Sequence, residues 1–393
     1  MQKISDQGRL RPWMGFVLFG VLMAFFILIC APLQEKLEIP GLVITEISFV
    51  VLAVLYCLVR KVKIREVFPV KKVKARDVMG CIILVLGTFP LAIMSVAVTA
   101  MILPWSVQEI YDFSAFIYGN LNYPMAILIA AILPAICEEA IHRGAILSNF
   151  RSIKHDWIIV LIMGLFFGIN HLSVLRFLAT TIIGIILSYV VVKKNNILLS
   201  MIMHFTNNLI SLSMGYLTGQ GSISMSQNVD FSMTLGVYLI IGFASPVLIT
   251  LGLMLLNPQG HRKIRFLYAG IISVIMLASG FGIMTVKSMQ KPVLYSDVSY
   301  TVTSDDKDCI IGDFDIEEER NATVIVMLSD SEKDYKVRID GDSGSNIINA
   351  DVPQGDTRMF SYNIGLAPDH YTATVIPDDN AVGEHPEIQI TIR

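Results

Sequence analysis

The chain has 393 residues, 54% of them hydrophobic, a mean hydropathy of +0.62 and a formal net charge of −3. That is too apolar for an ordinary soluble domain and leaves a polytopic membrane protein as the expected class, with lipid around it and no nucleic-acid partner. The small net charge hides a division: residues 1–287 hold 22 Lys/Arg against 12 Asp/Glu, and residues 288–393 hold 8 against 21, so the two parts meet different environments.

The first segment, MQKISDQGRLRPW, is polar and basic, and the apolar run that follows, 13–33, is longer than a signal-peptide core and has no small-x-small cleavage site; it is expected to be a retained first helix. Further apolar stretches follow at 41–60, 78–104, 123–148, 157–175, 177–192, 197–215, 234–256 and 267–287. Most exceed the 18 residues or so that read as a span, and 177–192 is the short one. The loop 61–77 carries seven Lys/Arg, and 149–156, 193–194 and 257–266 are basic too, whereas 105–122 and 216–233 carry none. Lys36 and Arg176 are single exceptions. The alternation fits about nine transmembrane helices with the N-terminus cytoplasmic and the C-terminus outside, and removing any one helix breaks it. The basic loop reads first as this orientation signal and second as a contact for anionic headgroups.

From about Pro292 the pattern changes to short β-branched runs (SYTVT, ATVIVML, YKVRI, FSYNI, YTATVI, EIQITI) separated by turn-rich pieces such as DGDSGSN. The expectation is a polytopic domain over 1–290 and an acidic, all-β, sandwich-like extracytoplasmic domain over 291–393. Asp340 and Asp342 are spaced like the start of a calcium loop, but Gly344 follows and the later Glu is missing, so a solvated acidic turn is expected. Asn321-Ala-Thr matches a glycosylation sequon. Cys30, Cys57, Cys81 and Cys137 lie in apolar runs. Cys309 stands alone in the tail, which excludes a disulfide within that domain.

The polar intrusions in the apolar runs carry the chemistry. Glu138 and Glu139 sit in AILPAICEEAIHRGAIL, where a charge costs at least about 2.5–3.5 kcal/mol. Glu139 and Arg143 are four apart, share a helix face and can pair. Glu138 lies about 100° round the helix and has no such partner, which makes it a candidate general base; His142 shares its face. Phe167-x-x-x-His171 and His204-x-x-x-Asn208 follow on later helices, each pair on one face. At about 1.5 Å per residue, Glu138, His171 and His204 lie roughly 15, 21 and 11 Å from the cytoplasmic ends of their helices, so tilt can bring them into one layer. One acid and two imidazoles in a dry cavity make either a divalent-metal site, zinc for example, ligated by Glu138, His171 and His204, or a metal-free base with oxyanion donors. Both activate water against a carbonyl. A buried ion pair serving packing alone and a proton pathway through Glu138 are the other readings.

EExxxR, FxxxH and HxxxN on successive helices resemble the CPBP family of intramembrane proteases, which includes CAAX prenyl endopeptidases and proteins linked to bacteriocin self-immunity. The resemblance runs over about 130–212, with a helical core over about 40–215, and includes Arg143-Gly144 and Thr181-x-x-Gly184 ahead of Tyr189. It implies that Glu138 activates water with His171 assisting, that His204 and Asn208 stabilise the oxyanion, and that Glu139, Arg143 and Phe167 support the site. It also implies a peptide or membrane-protein substrate in a bacterial cell membrane; the two C-terminal helices and the β-domain lie outside the resemblance, and the β-domain is expected to recruit a protein partner. A scaffold or immunity factor and a proton-coupled transporter are the alternatives. The residue before the motif arginine is usually aromatic in this family and is His142 here, which is expected to take the place of the ring.

Overall fold

The computed structural model describes residues 10–103, 106, 109, 114, 116–217, 231–258, 263–289, 294–299, 302, 309–329, 335–344, 346–352, 357–377, 381–382 and 386–392. The chain separates into two compact units, one of residues 1–223 with 237–280 and one of 224–236 with 281–393.

The first unit is helical. Among the described residues eight helices are long and apolar enough to cross a membrane: α1 (Pro12–Leu37), α2 (Ile39–Arg60), α3 (Ala75–Ala100), α4 (Tyr123–Ile146), α6 (Phe177–Lys194), α7 (Ile197–Leu217), α8 (Leu235–Leu256) and α9, which begins at Lys263. Between α4 and α6 lies α5 (Asp156–Asn170), apolar but only 15 residues long. Among the described residues eight of the nine expected stretches form helices of full spanning length, and the short element is α5 rather than the 177–192 stretch, which is helical over 18 residues. The expected 157–175 run breaks because Leu172 takes a positive φ of 46° just after Asn170 and His171. At about 1.5 Å per residue, α5 reaches roughly 22 Å, short of a hydrocarbon core of about 30 Å.

Local chemistry sets the ends. Pro40 sits in the first turn of α2, and Lys61 closes it in the left-handed conformation. Asn122 caps α4, its side-chain oxygen accepting from Met125 N at 3.1 Å. Asn195, at φ 48°, ends α6. Lys194 Nζ lies 2.8 Å from Asp77, and Lys193 Nζ lies 2.8 Å from Asp156, tying the last turn of α6 to the starts of α3 and α5. These eight spanning segments make the chain an integral membrane protein by length and composition.

The second unit is built on two four-stranded antiparallel sheets, ordered β1-β8-β3-β6 and β2-β7-β4-β5. The strands are β1 (Leu294–Ser299), β2 (Cys309–Ile316), β3 (Arg320–Ser329), β4 (Tyr335–Gly341), β5 (Asn346–Val352), β6 (Thr357–Leu366), β7 (Asp369–Pro377) and β8 (Glu387–Ile392). Alternate residues from both sheets, among them Val324, Val326, Val337, Ile339, Ala373, Val375 and Ile390, form one buried core. The 342–344 segment is a turn, with Gly344 at φ 86°. Cys309 is a free thiol.

Candidate active site

α4 carries both glutamates on an unusual helix. The seven residues Leu133–Glu139 are α-helical, but Ile127–Ile132 before them and Ala140–Ile146 after them are π-helical. Such wide turns are uncommon and concentrate at functional sites. Pro134 contributes, since it removes one backbone donor from the ladder.

Glu139 and Arg143 are fully buried and paired at 2.7 Å, as their spacing predicts. The same carboxylate oxygen, Oε1, also lies 3.1 Å from Nδ1 of His204 on α7. Glu139 thus links two helices, a connection that lies 65 residues apart in sequence and that helical spacing does not reveal. Arg143 extends the network: its Nη2 donates to the carbonyl of Gly184 on α6 at 3.2 Å, and its guanidinium carbon stands 4.3 Å from the centre of the Phe167 ring. Gly184 permits this approach, because a Cβ there would lie 2.8 Å from Cβ of Phe167 and 3.0 Å from Cα of Gly164.

Phe167 is the centre of the site. The His171 ring lies 4.9 Å from it, His142 5.4 Å and His204 5.5 Å, all edge-on or nearly so. The sequence reading treats Phe167 as support, and the ring in fact touches three imidazoles and one guanidinium. His142 is fully buried against it, and neither ring nitrogen has a hydrogen-bond partner among the described residues.

His171 follows the last residue of α5 and is half-buried. Its Nδ1 donates to the carbonyl of Phe167 at 2.8 Å, a bond that fixes the tautomer and leaves a lone pair on Nε2. The turn beyond it is tied down by Ser173, which donates to the Glu109 carboxylate and accepts from Arg176 N at 3.1 Å and Nε at 3.3 Å.

Asn208 lies one turn beyond His204 on the face directed at α4. Its Nδ2 reaches the carbonyl of Ala130 in the first π-helical stretch at 3.5 Å, and its Oδ1 accepts from Asn207 at 3.2 Å. Glu138 is 9% exposed, and its Oε2 has no partner among the described residues. Asn170 Oδ1 and Thr181 Oγ1 are likewise buried and unpartnered. Buried polar atoms of this kind are normally met by water or substrate.

Among the described residues no group of three His, Cys, Asp or Glu side chains is placed to hold an ion. His171 and His204 each have Nδ1 engaged by protein. Glu46, on α2, is a further buried carboxylate that the motifs do not contain, a lone acid in the apolar run 41–60.

Comparison with characterised proteins and with solved structures gives no match for this chain. Residues 120–210 match the family model for Rce1-like type II CAAX prenyl endopeptidases, the kind of CPBP intramembrane protease to which the three motifs point.

Proposed function

We propose that the chain is an intramembrane endopeptidase of the CPBP type. The observation that carries this reading is the gathering of Arg143, His171 and His204 around Phe167, with Glu139 bonded to both Arg143 and His204 inside a bundle of membrane-spanning helices. Glu138 takes a proton from water, and the water oxygen bonds to the substrate carbonyl carbon. His171, with Nδ1 donating to Phe167 O, offers the Nε2 lone pair to the same water. The carbonyl oxygen becomes an oxyanion. Asn208 has a second amide hydrogen for it, and His204, oriented through Nδ1 by Glu139, supports it from α7. Collapse breaks the C–N bond, and the proton held by Glu138 passes to the leaving nitrogen.

The finer architecture follows the same reading. α5 completes a nine-helix core with the N-terminus cytoplasmic, by the distribution of Lys and Arg, and the acidic β-domain is a small extracytoplasmic sandwich that recruits a protein partner. The host membrane is a bacterial cell membrane, and the substrate is a peptide or membrane protein reaching the site from the lipid.

Glu138→Gln tests the mechanism. Purified protein in lipid nanodiscs is offered a farnesylated peptide ending in a CAAX sequence, and cells are compared by profiling new N-termini of membrane proteins. Wild type should produce cleavage products and Glu138→Gln none, at unchanged thermal stability. Retained cleavage by the variant rejects the glutamate base. Proton-coupled flux abolished by the same substitution identifies a transporter instead.

A further inference from the structure

The connection between α2 and α3 is built into the bundle rather than looped over it. Val67 and Pro69 are buried, and Val62, Val67 and Phe68 pack in one core with Phe150 and Ile153 from the α4–α5 connection. Phe68 lies against Gly144, where a Cβ would collide with its ring. Both backbone groups of Lys71 bond to the Asn196 side chain: the N–H donates to Oδ1 at 3.3 Å, and the carbonyl accepts from Nδ2 at 3.1 Å. Ile197 N donates to Pro69 O at 2.9 Å, which fixes the loop to the first residue of α7 as well. A pure orientation signal needs the charge of such a loop and not a fixed shape.

The charges on this platform are unbalanced. Asp77 lies 2.8 Å from Lys194, Asp156 2.8 Å from Lys193 and Glu66 3.6 Å from Lys63, so these acids are already engaged. Arg65, Lys71, Lys72, Lys74 and Arg76 are exposed and make no ion pair among the described residues. Apolar side chains stand beside them: Ile64 is 47% exposed, Val70 62%, and Trp157 in the first turn of α5 66%. The loop joins the ends of two spanning helices, which places these groups at headgroup level, the depth at which tryptophan is enriched.

We propose that the 61–77 connection is a docking surface for anionic phospholipid headgroups. The five unpaired cations meet the lipid phosphates, and Ile64, Val70 and Trp157 enter the boundary between headgroups and acyl chains. The fixed backbone holds the cations in place before the lipid binds, which lowers the ordering cost of binding. An acidic soluble protein would also complement the charge, but the adjoining spanning helices set this surface against the bilayer, and the interleaved apolar groups suit lipid. Nothing in the surface depends on peptide hydrolysis.

The purified full chain in detergent is titrated with phosphatidylglycerol or with phosphatidylcholine, and native mass spectrometry gives the dissociation constant of the first lipid bound. Wild type should bind phosphatidylglycerol at least about tenfold more tightly, since each cation near the surface is worth about fivefold. Lys72→Gln should weaken phosphatidylglycerol about fivefold, and the combined Lys71→Gln, Lys72→Gln, Lys74→Gln and Arg76→Gln variant should lose the preference. Lys36→Gln, near the opposite end of α2, should leave it unchanged. Equal binding of the two lipids by wild type, or a preference that the combined variant keeps in full, overturns the proposal. So does an equal loss in Lys36→Gln and Lys72→Gln, which would mean net charge alone. Poly-glutamate binding as tightly as phosphatidylglycerol would assign the surface to an acidic protein and overturn the lipid. Should the combined variant fail to insert, Lys72→Gln and wild type in salt of about 1 M carry the test: screening over about 3 Å should abolish the preference, and a preference that persists overturns the proposal.

Discussion

Oε1 of Glu139 lies 3.1 Å from Nδ1 of His204 and 2.7 Å from Nη1 of Arg143, so one buried oxygen holds α4 and α7 together. Tandem acids in a spanning helix thereby divide their work. Glu139 is engaged by Arg143 and His204 at once, and Glu138 keeps an Oε2 with no partner among the described residues.

Removing Glu139 alone should be severe. A buried charge left without its partner costs about 3–5 kcal/mol, while replacing both members of a pair by apolar groups is often close to neutral. Glu139→Leu and Arg143→Leu should each lower stability by about that amount, and the double variant should recover much of it. Thermal or denaturant unfolding in nanodiscs measures this. Silent single substitutions would mean that the pair contributes nothing to the fold.

Phe167→Leu keeps apolar bulk but removes the ring that meets Arg143 and three histidines. A loss of about 2 kcal/mol is expected from one cation–π contact and the edge-on pairs. The His171 bond should survive, because it uses the Phe167 backbone carbonyl rather than its side chain. Peptide hydrolysis should fall more than stability does, since the ring sets the relative positions of His171 and His204. Equal activity with reduced stability would reduce Phe167 to packing.

How far these relationships are readable without coordinates depends on their range. Glu139–Arg143 follows from an i,i+4 spacing, and the shared face of His204 and Asn208 follows from the same period. The membrane class follows from apolar runs, and the β unit from short alternating strands. The Glu139–His204 bond is different, because nothing local to either residue encodes which helix faces which. The same holds for Phe167, whose apolar character fits any core position. The shortness of α5 was hidden because Leu172 to Leu175 stay mostly apolar while the backbone turns at Leu172.

Gly184→Ala should separate α5 from α6. The added methyl would meet Cβ of Phe167 at 2.8 Å and Cα of Gly164 at 3.0 Å, and both are attached to backbone that has little room to yield. Overpacking of this kind costs about 1–3 kcal/mol. The carbonyl of Gly184 is also the acceptor for Arg143 Nη2, so a shift of α6 weakens the network around Glu139. A melting point lowered by several degrees is the expected result, with hydrolysis reduced in parallel. An unchanged melting point would show that the two helices are not held at this distance.

The β-domain should show its own dependence on pH. His370 Nδ1 lies 2.7 Å from Asp315 Oδ1, and that hydrogen bond, with Asp342 and Asp313 nearby, holds the imidazolium above its ordinary range. Because the folded value is raised, the contribution to stability is present below about pH 6.5, the ordinary histidine value, and is lost as pH rises through the folded value. Asp369 runs the other way. Hydrogen bonds from Ser343 hold its carboxyl below the ordinary range, so its contribution is present above about pH 3.9 and is lost as pH falls through the folded value. Titration of the full chain with isotope-labelled histidine should find the His370 midpoint above that of an unstructured histidine, and Asp315→Asn should bring it down. A midpoint that Asp315→Asn leaves in place would rule out the hydrogen bond as its cause.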